Sequence, residues 1–449
     1  MTGGAGGSVG TGGATQNPVT PPMAGVQACT GLFDPTVLQS YSIEISPEEW
    51  TELNAEFNDI QAVLAYMPRE NYHKIIFHYG DETVTNAAIR LKGQSSWVDT
   101  VMFDAKPKMQ FVIAFDQVDA KGKFHGVDKI HFDMPRTDWT FLNERIANTW
   151  LRSIGIFAPC TNSGRLTING EYYGLYATEE SKDGSVVKQF FPGNSQGDLF
   201  KAALDPQTNK TAPNWPKLMQ FWDAKSMSAM EKIIDVPNSL LEWAAEAVLN
   251  DSDGYYGGSH NFMVYDQGAA GYVWLPTDVD STIEWMSVFT DLSYQQHPVF
   301  WWERRPFPQP PGQHYLLVMN DPMWRSRYAD AIETQLGKWN VTQMQSWIDS
   351  WSAQVAKAAE EDPHKWATID QIRMATAAAR DMVVKRPPFL RNFVACQRGS
   401  SLVSDDADGD GVPWCNDCRD DNAAIHPGAA EICGNMIDEN CNGIPDDGC

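Results

Sequence analysis

The stretch Val248–Thr282, VLNDSDGYYGGSHNFMVYDQGAAGYVWLPTDVDST, decides how this chain is read. Three polar clusters in it are separated by apolar, strand-like runs. Asp251-Ser252-Asp253-Gly254 comes first. His260-Asn261 opens the alternating run Phe262-Met263-Val264-Tyr265, and Asp278-Val279-Asp280 follows Tyr272-Val273-Trp274-Leu275-Pro276. The two runs, joined through Asp266-Gln267-Gly268, predict a β-hairpin. A hairpin brings its ends together, so Asn261 is expected close to Asp278. A carboxylate and an amide oxygen are hard ligands suited to magnesium, and Asp253 just upstream is a candidate base. Spacing alone fits an acidic loop beside an ordinary hairpin equally well.

Outward from this stretch the pattern is β-rich toward the N-terminus and helical toward the C-terminus, an α+β chain. Tyr41–Ile45, Ile75–Tyr79, Val84–Leu91 and Lys129–Phe132 read as strands. Ser46-Pro47-Glu48-Glu49 reads as a helix start, with a hydroxyl cap and proline at the first position. Lys106–Phe115 reads as a strand with lysine near its start, and Arg165–Tyr176 as a hairpin turning at Asn169-Gly170. Thr140–Ile154 has Leu142, Ile146, Trp150 and Ile154 at four-residue steps, which predicts an amphipathic helix ended by Gly155. Ser239–Leu249 reads as a helix delivering the chain to Asp253. Residues 287–320, rich in Trp, Pro and His, read as an ordered covering loop, and 321–395 as mostly helical.

The chain has 449 residues, a hydrophobic fraction of 43% and 17 tryptophans, enough for a substantial packed core. Its net charge of -24 argues against binding nucleic-acid backbones. No apolar run approaches the ~20 residues of a membrane helix. Residues 1–28 are of low complexity, dominated by Gly, Ser, Thr, Ala and Pro with almost no apolar mass, the composition of a flexible tether. Of eight cysteines, five fall in the last 35 residues, a density that suits disulfides and an oxidising compartment.

In its motif order the central region resembles the CotH (spore coat protein H) kinase family, secreted or surface proteins with an atypical protein-kinase-like fold. The matching pieces are Asp251-Ser252-Asp253-Gly254, His260-Asn261-Phe262 and Pro276-Thr277-Asp278-Val279-Asp280. Further upstream they are Arg90-Leu91-Lys92-Gly93-Gln94-Ser95-Ser96 and the helix carrying Asp138 and Glu144-Arg145. Asp251 and Thr277 depart from the family's usual Asn and Trp. The resemblance implies a two-lobed fold over residues 29–398 that transfers the γ-phosphate of ATP to a hydroxyl of a protein. By that resemblance Asp253 is the base, Asn261 and Asp278 hold magnesium, and Asp280 stands behind them. Lys108, or Lys106 in another register, holds phosphate and is positioned by Glu180 or its neighbour Glu179. Arg90 and Ser95 belong to the nucleotide-binding loop. Two other classes remain open: an inactive surface adhesin on the same fold, and a transferase of AMP.

Residues 405–449 read as a separate module. Asp406, Asp408, Asp410 and Asp417 occupy positions 1, 3, 5 and 12 of a loop with Gly411 at 6, an EF-hand-like calcium spacing. Asp438, Asn440 and Asn442, before Gly443, form a weaker second version. The run from Asp417 to Gly443 resembles the MopE-type metal-binding repeat of secreted bacterial proteins. That repeat is named for copper, but these hard oxygen ligands favour calcium. Cys415 and Cys418 could be half a zinc site, although disulfides suit them better. Secretion or display at the cell surface is therefore expected, although no leader with an apolar core follows Met1.

Overall fold

The computed structural model describes residues 28–65, 71–93, 95–134, 138–202, 204–283 and 312–449. The tether expected over residues 1–28, but for its last residue, and most of the covering loop expected over 287–320 lie outside the described residues.

Seven strands close into a barrel: β1 (Gln39–Ile45), β2 (His73–Tyr79), β3 (Glu82–Leu91), β4 (Phe111–Ala114), β5 (Lys129–Asp133), β6 (Thr161–Ile168) and β7 (Glu171–Glu180). Their order is β1-β2-β3-β4-β5-β7-β6. Every pairing is antiparallel except the parallel β1–β6 seam that shuts the barrel. Alternation does the sorting, because successive side chains on a strand face opposite ways. On β1 it sends Tyr41, Ile43 and Ile45 inward. Asn169 and Gly170 both take the positive φ that a two-residue turn between β6 and β7 requires. The Asn169 amide also bonds both the N–H and the carbonyl of Ile45, which fixes the register of the seam. The Cys29–Cys160 disulfide ties the segment before β1 to the start of β6 across 131 residues. Closing so long a loop is worth roughly 5 kcal/mol in the chain-entropy picture.

A second sheet has the order β11-β10-β8-β9, with β8 (Leu199–Lys201), β9 (Asp205–Pro206), β10 (Phe262–Asp266) and β11 (Tyr272–Pro276). The expected hairpin is β10–β11, paired from Phe262↔Pro276 to Asp266↔Tyr272. Its connection is longer than Asp266–Gly268, because a 3-10 turn at Gly268–Ala270 is inserted before Gly271.

The helices, in chain order, are α1 (Pro47–Asn58), α2 (Ile60–Leu64), α3 (Ser95–Phe103), α4 (Asn143–Ile154), α5 (Gly184–Phe190), α6 (Trp215–Trp222), α7 (Met227–Ile233), α8 (Val236–Leu249), α9 (Tyr255–Gly258), α10 (Gln313–Met319), α11 (Pro322–Leu336), α12 (Val341–Glu361) and α13 (Ile369–Gln397). Ser46 caps α1 as expected, accepting from Glu49 N. The Leu142, Ile146, Trp150 and Ile154 stripe is buried, and Gly155 ends α4 in the left-handed region. Helix α8 is buried on nearly all sides against β11, α11 and α13, so even Glu242 and Glu246 lie inside. Two local expectations fail. The strand at Lys106–Phe115 starts only at Phe111, because Lys108 leaves the sheet to make a distant ion pair. Residues 313–319 are helical rather than loop. No helix among the described residues is long and apolar enough to cross a membrane.

Candidate active site

The β10–β11 hairpin positions the polar clusters. Thr277 N donates to Asn261 O (3.2 Å) just beyond the last strand pair, so Asn261 and Asp278 leave adjacent ends of the hairpin. Both adopt positive φ, 45° and 58°. Non-glycine residues are uncommon there and often mark functional geometry. The Asn261 amide N–H donates to Asp253 Oδ2 (2.9 Å), which leaves the Asn261 oxygen pointing elsewhere. Asp253 N donates to Asp251 Oδ1 (3.1 Å). The loops are laced by main-chain bonds, Ser252 N to Ser281 O and Ile283 N to Leu249 O, both 3.0 Å. Asp138 caps the start of α4 through the N–H groups of Thr140, Phe141 and Asn143. The Asn143 amide then donates to the carbonyl of Asp280, so the D-x-T helix motif supports the Asp278–Asp280 loop. Asp280 itself is half-buried.

Asp278 faces a cleft of about 460 Å³ between the barrel and the second sheet. Across it stand Arg90 and Lys92 at the end of β3, Lys182 just after β7, and Lys201 at the end of β8. Burial works to raise the Asp278 carboxyl. The combined field of Lys201, Lys92, Lys182 and His260 overrides it and holds the group below its ordinary value. The cations are partly matched: Lys182 bonds both oxygens of Glu179 (2.8 and 3.0 Å), and Lys92 pairs with Asp133. Burial would lower the Lys92 ammonium, but Asp133, Asp278 and Glu179 raise it instead. Behind them Glu144 of α4 is buried with neither carboxyl oxygen hydrogen-bonded. Burial, then Glu179 and Asp133, push its pKa well up. An ionised carboxylate beside an amide oxygen, facing a cleft rich in lysine, is a chemically suitable setting for magnesium and a polyphosphate.

Lys108 does not reach this cleft. Its ammonium is buried and donates to Asp362 Oδ2 and to the carbonyl of Leu175, both at 2.6 Å. Gly174 admits the pair; a Cβ there would sit 2.9 Å from both partners. Glu180 is not beside Lys108 either. Its Oε1 accepts from Cys160 N (2.8 Å) and lies near Arg152. The period of two along β7 turns Glu179, not Glu180, into the cleft. Arg90 lines the cleft while bonding the Tyr72 hydroxyl (3.1 Å). Ser95 opens α3, and the placement of its side chain lies outside what is described.

In the tail all five cysteines pair: Cys415 with Cys396 of α13, Cys418 with Cys441, and Cys433 with Cys449. Disulfides, not a zinc half-site, therefore account for Cys415 and Cys418. The first acidic loop gathers carboxylate oxygens of Asp408, Asp410 and Asp417 within 4.8 Å of one another, and likewise Asp406, Asp408 and Asp420. Asp417 is 4% exposed. The Oδ2 atoms of Asp408, Asp410 and Asp417 are buried without a hydrogen-bond donor, as expected of ligands preorganised for a hard cation. The second loop repeats the main-chain bonds of the first: both Asp438 oxygens accept N–H groups from Asn442 and Gly443 as both Asp406 oxygens do from Gly409 and Gly411, and Asn440 and Asn442 accept as Asp408 and Asp410 do. The orphaned carboxylate oxygens, however, are those of the first loop.

The family model for CotH kinase protein matches residues 89–401. The chain belongs to the CotH family. A second model, Cu-binding MopE, described as a putative metal-binding motif, matches residues 417–447. No curated protein matches the chain.

The CotH match contains every cleft residue named above. Sequence reading did not single out Lys92, Lys182, Lys201, Asp133 or Glu144 for the cleft. Lys92 had a readable sign, since it lies inside the Arg90-x-Lys92-Gly93 motif. Asp420 joins the metal-binding cluster without belonging to the loop spacing, because the chain turns back after Cys418.

Proposed function

We propose that this CotH-family chain is an exported, kinase-like phosphotransferase that moves the γ-phosphate of ATP to a hydroxyl of a protein. The observation that carries the reading is the facing of Asp278, at the end of the β10–β11 hairpin, toward Lys92, Lys182 and Lys201. In this reading the barrel and the helical part are the two lobes of a kinase-like fold. Asn261 and Asp278 hold magnesium, which on binding neutralises charge on the phosphates. Lys92 takes the phosphate-binding role, held by Asp133, and Lys182 is oriented by Glu179. Asp253, anchored by the Asn261 amide, accepts the proton of the attacking hydroxyl. The new O–P bond forms as the bridging O–Pγ bond breaks, and ADP leaves with the electron pair.

The tail module holds one hard divalent cation, calcium by its all-oxygen donor set, at Asp406, Asp408, Asp410, Asp417 and Asp420. Four disulfides suit an extracellular or surface setting. The test is incubation with magnesium and either γ- or α-labelled ATP, alone and with extracted surface proteins. Label from the γ position alone on protein supports phosphoryl transfer. Label from the α position replaces it with AMP transfer, and label from neither supports an inactive adhesin.

A further inference from the structure

Helix α1 and strand β2 build a polar cluster that belongs neither to the cleft nor to the tail. On α1, Glu49, Glu52 and Glu56 recur at steps of three and four and so share one side of the helix. His73, the first residue of β2, lies against them and is 3% exposed. Its Nδ1 is 2.9 Å from Glu49 Oε2 and 4.0 Å from Glu52 Oε2. Its Nε2 is 3.4 Å from Glu56 Oε1 and makes no hydrogen bond. That same Glu56 oxygen accepts from Asn71 Nδ2 (2.8 Å). Among the described residues, the ion pairs of these three glutamates are all with His73. Both nitrogens of the ring therefore meet carboxylates. A neutral imidazole has one N–H and one lone pair, so in either tautomer one nitrogen turns its lone pair toward an anion. A metal on Nδ1 with the proton on Nε2 answers both sides. A doubly protonated ring answers them too, but sets one positive charge against three carboxylates.

We propose that Glu49, Glu52 and His73 bind a divalent cation of the zinc class, with Glu56 orienting the imidazole. One ring nitrogen and two carboxylate oxygens form a borderline donor set that suits zinc, whereas calcium and magnesium prefer oxygen alone. The three donor atoms already lie within 4.8 Å of one another. A small rotation of the exposed Glu52 carboxylate brings all three to the ~2.0–2.2 Å of zinc–ligand bonds. The Glu52 side chain is 72% exposed, which gives the ion its route in and leaves water to complete its coordination. Glu56 acts from the far side of the ring: it accepts the Nε2 proton, so that Nδ1 keeps its lone pair for the metal. Asn71 in turn holds Glu56 in place. The bound ion ties the first turns of α1 to the start of β2. This site is independent of the phosphoryl-transfer reading, and its test does not use activity.

The experiment is calorimetric titration of the full-length protein with zinc chloride at neutral pH. The protein is first stripped with a chelator and then given excess calcium and magnesium, which occupy sites made of oxygen alone. A saturable zinc event is expected. Glu52→Gln should weaken it at least about tenfold, the equivalent of ~1.4 kcal/mol. Melting without zinc should be unchanged in that variant, because the side chain is exposed. Glu56→Gln, a change at a positioning residue, should weaken zinc by about 10–100-fold. His73→Gln should abolish the event, and Asp417→Asn in the tail should leave it intact. Glu52→Gln keeps the test decisive if His73→Gln does not fold. Absence of a saturable event means that protons alone serve the ring and overturns the assignment. An event that Glu52→Gln and Glu56→Gln leave intact belongs to other residues and overturns it equally.

Discussion

Lys92 and Lys108 stand sixteen positions apart in the sequence, each close to a strand of the same barrel, and they serve different ends. Lys108 is sealed between Tyr176, Leu175 O and Asp362, one cation for one carboxylate with no solvent route. Lys92 shares an open cleft with Lys182 and Lys201, whose charges act together on Asp278. A closed pair fixes how the barrel meets the end of α12. An open, unevenly paired cluster keeps the capacity to receive an anion. What separates the two lysines is the number of partners and the access of water, not residue type or local sequence.

That contrast breaks first at the carboxylates. Asp253→Ala removes the proposed base, and Asp278→Ala the proposed metal ligand. Each should cost about 10²–10⁴-fold or more in phosphate transfer. Melting should change less than transfer, since Asp278 lines the open cleft and Asp253 is only half-buried. Transfer retained in both variants discards the phosphotransferase reading.

The lysines give the next largest effects, in opposite observables. Lys92→Met should lower transfer by about 10²–10³-fold, and its melting loss, from leaving Asp133 without its cation, should be smaller than that of Lys108→Met because the Lys92 pair borders the open cleft. Lys108→Met leaves Asp362 buried and without its cation, so it should destabilise the fold by about 3–5 kcal/mol. Transfer per folded molecule should survive. Denaturant titration and labelled-ATP assays on the same two preparations separate the cases; matching profiles for the two variants would erase the distinction.

The readable part of this molecule was local. Alternation and turn chemistry placed the β10–β11 hairpin and the β6–β7 turn, and the polar clusters at Asp253, Asn261 and Asp278 came with the hairpin. The cleft lysines were not readable in the same way. They are supplied by the ends of β3, β7 and β8, which meet only through barrel closure and sheet order. Choosing Glu180 over Glu179 was a one-residue matter, and on a strand one residue reverses the face. The Lys108 partner lies 254 residues away, beyond any spacing rule. In the tail the Asp406–Asp417 loop was legible because its ligands are neighbours. The weaker second loop looked alike in sequence and carries the same main-chain bonds; the orphaned carboxylate oxygens belong to the first.

The tail extends the comparison to carboxylates that have no lysine at all. If Asp408, Asp410 and Asp417 await an ion, calcium at a hundred times its Kd should stabilise the module by about 2.7 kcal/mol. Asp417→Asn should remove most of that gain and Asp438→Asn little of it. Thermal melting with calcium and with a chelator reads the difference. Equal responses in the two variants would mean that the orphaned Oδ2 atoms are not ligands.

Glu246 supplies the smallest and most discriminating case, a buried carboxyl whose charged neighbours are acids. Its Oε2 accepts from Tyr256 N (3.1 Å), while burial lifts it from 4.5 to about 7. Between those two values the folded chain holds a proton that the unfolded chain has released. The stability this proton contributes is complete below about 4.5, declines as pH rises through about 7, and is gone above it. The slope belongs to the folded state's refusal to ionise a carboxyl beside Glu242 and Asp253, so a neutral isostere should remove it. Glu246→Gln keeps an acceptor for Tyr256 N–H and has no charge to avoid. Relative to wild type it should be gained in stability at pH 8 by on the order of 1–2 kcal/mol and be nearly unchanged at pH 5. A variant whose melting runs parallel to wild type across that interval would place a compensating cation beside the acids, and would make this region a closed pair like Lys108 and Asp362.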